Sequence, residues 1–318
     1  MTDSVVYNVS HDCGKTFDNK PHVLADFIHF DAQDQPGTPT ASRPANTPTG
    51  DVGFEGHLAP SGSARDCGDS FDSCKSGFTF FRQDSQVRAT ADEKDSSNTV
   101  YVVYNASKDA GSPTGSTYGT ISPGIGSQGA VYFTTIRNGV PESGKGTIVD
   151  NQPKGHQFFP DISARAGKIH VIWWDNRLDP SYSRSLPIGN TEARTNSGDF
   201  LNVFGTSKSE SPTAAFPTAT SLSTVGTNGN WEQFDGRRVP FAGDYLWVTT
   251  AATGASYVVW TDWRDTVPGV DPRPFEADER TPEGFDVWQC RTAADGFATD
   301  NCPTAGGKDQ NIYGAAGN

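Results

Sequence analysis

The sequence predicts an all-β protein, built as a β-propeller of four-stranded antiparallel blades. Short runs of β-branched and aromatic residues recur between turn-rich loops, which is typical of strands. The 318 residues include 34 glycines and 21 prolines, and 11% of them are aromatic. This composition argues against helical bundles, which favour Leu, Ala, Glu and Lys, and against disordered chains, which lack aromatic residues.

Three similar strand triplets repeat along the chain. Their second strands are the clearest, namely Thr99–Tyr104, Lys168–Trp173 and Ala255–Trp260. The preceding first strands are Gln86–Thr90, Pro160–Ala164 and Asp244–Val248. The third strands are Gly129–Thr134, Phe200–Gly205 and Phe285–Cys290, and Ser4–Ser10 matches this third type. Each triplet is predicted to form the first three strands of one blade.

A row of such sheets is expected to close into a ring, because an open row leaves sheet edges exposed. The chain enters at a third strand, so we expect the C-terminal tail around Asn311–Tyr313 to complete that first blade. We interpret residues 1–318 as one propeller domain with a loop-rich insertion at about 26–85 and a long loop at about 178–230. The chain shows fewer blades than a closed ring needs, so either an irregular blade lies within residues 26–85 or the chain lacks its natural N-terminus. The missing signal peptide and the odd Cys13 favour the second interpretation.

The charge balance excludes some partners. Lys and Arg total 25 against 38 Asp and Glu, so the net charge is −13 and the pI is about 4.8. An acidic chain repels phosphate backbones, so we expect no nucleic-acid partner. No stretch approaches the roughly 18 apolar residues of a membrane-spanning helix, so no membrane span is expected. The first residues do not resemble a signal peptide either.

Cysteine spacing indicates an oxidising compartment. Two pairs each close a short loop, Cys67 with Cys74 and Cys290 with Cys302, and we interpret both as disulfides of an extracellular or secreted protein. Buried free thiols in a cytosolic protein are the alternative. A zinc site is less favoured because the chain has no CxxC motif. Cys13 is left without a partner.

One turn motif is specific. Ser10, Asp12, Gly14, Thr16 and Phe17 match the Asp-box pattern S-x-D-x-G-x-T-F/W, directly after a strand. Together with the repeated strands, this motif resembles the sialidase superfamily of Asp-box (BNR-repeat) propellers, in particular its secreted bacterial members. The resemblance implies about six blades in the intact protein. The resemblance implies a structural turn on the face opposite the active site. There Asp12 accepts turn N–H bonds, Gly14 supplies a positive φ, and Thr16 and Phe17 start the next strand.

The resemblance also implies a candidate site. In such blades the first strands begin, and the second strands end, on the functional face. Sialidases use an arginine cluster for the substrate carboxylate, a Tyr nucleophile paired with Glu, and an Asp acid/base. The residues that fit catalysis are Tyr245, Glu232 and Asp161. The residues that fit substrate binding are Arg88, Arg177, Arg264, Asp244 and Arg237. Guanidinium groups suit carboxylates because they present a planar donor fork.

Other interpretations stay open at this point. The family's F/Y-R-I-P motif is absent, and Arg177 and Arg264 end a repeated W-x-D-x-R motif, which favours Asp–Arg pairing between loops. No cofactor is required, and calcium at Asp175 or Asp262 is a minor alternative. The predicted function is glycan-directed, either exo-glycosidase or non-catalytic acidic-sugar binding. The alternatives are a scaffold or adhesion propeller that binds a protein partner, and, less favoured, a polysaccharide lyase using His156.

Overall fold

The structure is a computed structural model that describes residues 2–28, 87–108, 128–142, 144–179, 201–226, 246–262, 268–269, 286–287 and 311–317. In these ranges every regular element is a β-strand, which confirms the all-β prediction. The strands form separate antiparallel sheets, and within the described ranges they do not close into a ring or barrel.

The strands are short to medium in length. The N-terminal hairpin consists of β1 (Thr2–Tyr7) and β2 (His22–Ile28). The first sheet consists of β3 (Val87–Thr90), β4 (Thr99–Ser107), β5 (Gly129–Arg137), β6 (Val140–Pro141) and β7 (Thr147–Ile148). The second sheet consists of β8 (Gln157–Arg165), β9 (Lys168–Asp175), β10 (Asn202–Ser209) and β11 (Thr220–Ser221). The remaining strands are β12 (Leu246–Thr250), β13 (Ser256–Asp262), β14 (Pro268–Gly269), β15 (Asp286–Val287) and β16 (Asn311–Gly317).

The first two sheets contain the predicted triplets. Strand order is β3-β4-β5-β6 in the first sheet, with β7 also on β5, and β8-β9-β10-β11 in the second. Each triplet therefore forms an antiparallel meander, in which consecutive strands are neighbours. Antiparallel neighbours can be joined by a short turn, as between β8 and β9, where Ala166 and Gly167 adopt positive φ values of 58° and 77°.

The third sheet differs from the prediction. Its order is β12-β13-β16, so the C-terminal strand takes the third position that the sequence assigned to Phe285–Cys290. Of that run, Asp286–Val287 forms a two-residue strand that pairs with β14 instead. The tail also does not complete the N-terminal hairpin. Tyr313 and Ala315 pack against the core between the second and third sheets, which is a physical reason for the pairing with β13.

The sheets stack face to face and share three cores. The N-terminal hairpin packs on the first sheet, the first sheet on the second, and the second on the third. Strand β5 is therefore buried along nearly its whole length, whereas β12 alternates between buried and exposed residues. Continuous burial is typical of a sheet covered on both faces, and alternation is typical of a sheet covered on one.

Candidate functional site

Three first strands bring equivalent residues together. Arg88 on β3 pairs with Val103, Asp161 on β8 pairs with Ile172, and Trp247 on β12 pairs with Val259. Each of these partners directly precedes the last residue of its predicted second strand, which is aromatic. The three residues thus occupy the same position in three successive sheets. We refer to Arg88, Asp161 and Trp247 as the inner-strand cluster.

The residues of the inner-strand cluster lie close to one another. The Val248 N–H donates a hydrogen bond of 2.7 Å to Asp161 Oδ2. The Arg88 Nε lies 3.9 Å from Asp161 Oδ1, and the Arg88 guanidinium lies 5.0 Å from the centre of the Trp247 ring. The Trp247 residue is 53% exposed while Asp161 is 6% exposed. A cation, a buried carboxyl group and an accessible indole therefore meet at one place.

Two side-chain bonds hold the inner strands next to this cluster. The Ala164 N–H donates to Thr90 Oγ1 at 3.3 Å, which joins β8 to β3. Thr250 Oγ1 donates to Ser163 Oγ at 2.9 Å, which joins β8 to β12. These strands are not paired by a ladder, so side chains fix their spacing.

An irregularity in β8 precedes Asp161. The register against β9 shifts between Phe158 and Asp161, and Phe159 has a φ of +48°. Positive φ is unfavourable for a bulky residue and persists only where the surroundings enforce it. Phe159 is 2% exposed within the core between the second and third sheets. The core thus holds a bulge of the kind that re-aims a neighbouring side chain.

The Asp161 carboxyl group has an unusual environment. Burial raises its pKa above the ordinary value, while hydrogen bonds from the Val248 and Ile162 N–H groups and the charge of Arg88 act in the opposite direction. Burial has the largest effect because it disfavours the charged form. A carboxyl group with a raised pKa can act as a proton donor or as a hydrogen-bond donor to a ligand.

Asp161 gives a testable pH dependence. A carboxyl group whose pKa is raised on folding stabilises the folded state at low pH. This stabilisation is lost as the pH rises from 3.8 through the raised pKa. We expect the wild-type protein to lose stability relative to Asp161→Asn over that interval, measured as urea midpoints at successive pH values.

The control is Asp12→Asn in an exposed turn. The pKa of Asp12 is lowered to about 2, mainly by the hydrogen bond from the Thr16 N–H. Its stabilising contribution is therefore lost as pH falls, so the destabilisation caused by Asp12→Asn should grow or stay constant as pH rises from 3.8. An Asp161→Asn difference that follows the same course would contradict the assignment.

The W-x-D-x-R repeat forms a second polar centre. The Trp173 Nε1–H donates to Asp175 Oδ2 at 3.0 Å, and the Trp260 Nε1–H donates to Asp262 Oδ2 at the same distance. Both carboxyl groups are fully buried. The motif therefore ties a core indole to the end of its own strand in two sheets.

Arg177 is fully engaged with this centre. Its Nε donates to Asp175 Oδ2 at 2.9 Å and its Nη1 to Asp150 Oδ2 at 2.7 Å. The guanidinium also lies 4.1 Å from the centre of the Phe204 ring, and its side chain is 10% exposed. Gly155 packs against this group, and we refer to Asp150, Gly155, Asp175 and Arg177 as the Arg177 network. These contacts are typical of a structural ion pair, and Arg177 does not join the inner-strand cluster.

The residues that match the predicted Asp-box pattern form a compact turn. Asp12 accepts hydrogen bonds from the Thr16 N–H at 2.8 Å and the Thr16 hydroxyl at 2.7 Å. Ser10 Oγ accepts the Gly14 N–H at 2.7 Å, and Gly14 has a φ of +84°. Strand β2 begins at His22 rather than at Thr16, and Phe17 is 59% exposed, so the turn is longer than predicted.

Several predicted residues lie outside the described ranges. They are Tyr245, Glu232, Arg264, Asp244 and Arg237 of the site, and Cys67, Cys74, Cys290 and Cys302 of the disulfides. Cys13 lies inside these ranges and is an exposed free thiol. Of the predicted site residues, the structure brings Arg88 and Asp161 together and places Arg177 elsewhere.

Sequence analysis missed Trp247. Within Asp244–Val248 it looks like an ordinary core aromatic residue, but it alternates with the buried Leu246 and Val248. The repeat alignment was the available signal, because it places Trp247 in register with Arg88 and Asp161.

Neither a group of metal ligands nor a membrane-spanning helix is present among the described residues. Across the described residues, no group of three or more His, Cys, Asp or Glu side chains is arranged to hold a metal ion. Calcium binding stays a prediction. In the same part of the chain, no helix has the length and apolar character needed to cross a bilayer.

Comparisons with known proteins give little further information. No family model and no curated protein sequence matches the chain. Among solved structures, the chain is similar to Zg3597, a family 117 glycoside hydrolase produced by the marine bacterium Zobellia galactanivorans. The identity is 14% and the TM-score is 0.32, over 59% of this chain and 53% of that chain. The chain thus spans about half the length of this neighbour.

Proposed function

We propose that this protein is an extracellular, glycan-directed propeller of the sialidase-like type that binds an acidic sugar at the inner-strand cluster. The main observation behind this proposal is that Arg88, Asp161 and Trp247 come together from equivalent positions in three sheets. The Asp-box sequence and its hydrogen-bonded turn support the family proposal. The extracellular location depends on the predicted disulfides.

The chemistry of the three side chains suits a sugar. The accessible Trp247 ring offers an apolar platform with a polar edge, as amphipathic aromatic residues do at binding surfaces. Arg88 is 25% exposed at its side chain and carries a donor fork that matches a carboxylate. Asp161 supplies a carboxyl group whose pKa is raised by burial, which favours its proton-donating form relative to an exposed aspartate. A ligand with a sugar ring and a carboxylate would use all three.

A more specific form of this proposal is that the protein hydrolyses the glycoside it binds. It requires Tyr245 as the nucleophile, Glu232 as its base and Asp161 as the acid. The test is release of 4-methylumbelliferone from a panel of glycosides that includes the sialoside. Turnover that disappears in Tyr245→Phe would support the enzyme, whereas turnover unchanged in that variant would exclude Tyr245 as the nucleophile.

Binding is tested by calorimetry with sialyllactose and uncharged lactose. Trp247→Ala should weaken binding of both sugars by about 10-fold or more, since the platform is lost. Arg88→Met should weaken sialyllactose alone by a similar factor, because lactose has no carboxylate. The matched control is Tyr257→Ala, which removes an aromatic residue of similar exposure (54%) from the same sheet. Equal losses in Tyr257→Ala and Trp247→Ala would contradict the proposed site.

A protein-binding scaffold is the second candidate. On the face of the third sheet that points away from the described core, Trp247, Tyr257, Val259 and Ile312 are exposed by 53%, 54%, 43% and 81%. Accessible apolar side chains on one sheet face favour contact with a protein partner. A folded protein that neither hydrolyses nor binds any sugar in these assays would favour this candidate.

A further inference from the structure

A cavity of about 290 Å³ lies between the first and second sheets. Its walls include Tyr101 near the start of β4, Phe133 on β5 and Phe216 in the segment after β10. Arg88 on β3 and Phe133 on β5 both pair with Val103 of β4, so β4 separates this wall of the cavity from the inner-strand cluster. Lys208, Glu210 and Glu142 also line it.

Lys208 presents an ammonium group with spare donors. Its Nζ lies 4.4 Å from the centre of the Phe133 ring and 4.9 Å from that of Phe216, and it donates to the Ala214 carbonyl oxygen at 3.1 Å. An ammonium group has three N–H donors. Among the described residues, Ala214 supplies its one hydrogen-bond acceptor. Two aromatic rings therefore position a cation whose remaining donors can meet a ligand.

Glu210 presents the complementary group. Its Oε1 atom is buried without a hydrogen-bond partner among the described residues. Burial, followed by the charge of Asp92, raises the pKa of Glu210 to about 7. A buried acceptor without a donor costs free energy that a ligand donor would recover.

We propose that this cavity binds a small zwitterion of the α-amino acid class, with its carboxylate on Lys208 and its ammonium group on Glu210. Lys208 lies on β10 and Glu210 directly follows the last residue of that strand, and both residues line the cavity. Phe133 and Phe216 supply an apolar wall for a small side chain, and the volume is near the lower limit for ligand pockets.

This site is independent of the proposed glycan function. The test is calorimetric titration of the whole chain with alanine, valine and leucine at about pH 8, where carboxyl groups with a pKa near 7 are ionised. N-acetyl-alanine lacks the ammonium group, and alanine amide lacks the carboxylate. We expect the free amino acid to bind at least about 10-fold more tightly than either blocked form. Equal binding of the blocked forms, or no heat with any free amino acid at about 10 mM, would overturn the proposal.

Two variants assign the ends of the ligand. Glu210→Gln should abolish the preference for alanine over N-acetyl-alanine, and Lys208→Met, which keeps an unbranched chain on the rings, should abolish the preference over alanine amide. The matched control Glu93→Gln changes an exposed carboxylate paired with Arg165 and should leave both preferences unchanged. A loss of either preference in Glu93→Gln would contradict the assignment. The blocked-ligand comparison uses wild-type protein alone, so it holds if a variant fails to fold.

Discussion

Replacing Arg177 with methionine is expected to destabilise the folded protein by about 3–5 kcal/mol. The change leaves the carboxylates of Asp175 and Asp150, with side chains 0% and 4% exposed, facing each other without a cation. The loss is read as a change in the free energy of unfolding from urea titrations. If Arg177 were held for a substrate, the same change would reduce binding and leave stability nearly unchanged.

Arg165→Met provides the matched control in the same sheet. Arg165 pairs with Glu93 at 3.3 Å, and the two side chains are 42% and 72% exposed. Exposed pairs contribute about 0–1 kcal/mol. An Arg177→Met protein that is as stable as Arg165→Met would show that the Arg177 network does not stabilise the fold.

The second large effect is expected at Gly155. Replacement by alanine should cost about 3 kcal/mol or more, because two penalties combine. Gly155 has a φ of +96°, and an added Cβ would lie 2.5 Å from Asp175 Oδ1 and 2.8 Å from Arg177 Cα. The backbone atom cannot move aside, so the Arg177 network would have to shift.

Gly167→Ala separates these two penalties. Gly167 has a similar φ of +77°, but no atom lies within 4 Å of its added Cβ. We expect only the backbone cost, about 1 kcal/mol. Thermal and urea unfolding of both variants measure the difference, and equal losses would show that the close approach at Gly155 is relieved without cost.

The repeat explains how much of the fold could be predicted. Alternation and β-branched content located the meander strands of the first two sheets, because these strands pair with their sequence neighbours. The third sheet depends on pairing between Ser256–Asp262 and Asn311–Gly317, which are far apart in sequence. That C-terminal strand contains Gly314 and Gly317, so its local β-propensity is low. Its place is determined by tertiary packing of Tyr313 and Ala315.

The candidate site could be predicted only in part, because residue type does not show which side chains are already engaged by neighbours. Residue type identified Arg88 and Asp161, and strand topology predicted that they lie on one side. Residue type alone cannot separate an arginine that is available to a ligand from one that is engaged, and Arg177 is engaged by Asp175 and Asp150. That distinction depends on Asp150, which sits 27 residues away and carries no motif.

The stacking of the sheets has a consequence for hydrogen exchange. The second sheet is covered on both faces, so its amides can exchange only after a neighbouring sheet separates from it. The third sheet is covered on one face and forms a less protected opening unit. Arg88, Asp161 and Trp247 come from three different sheets, so a ligand that bridges them would join these units. Protection against deuterium exchange would then rise across the third sheet, far beyond the residues that touch the ligand.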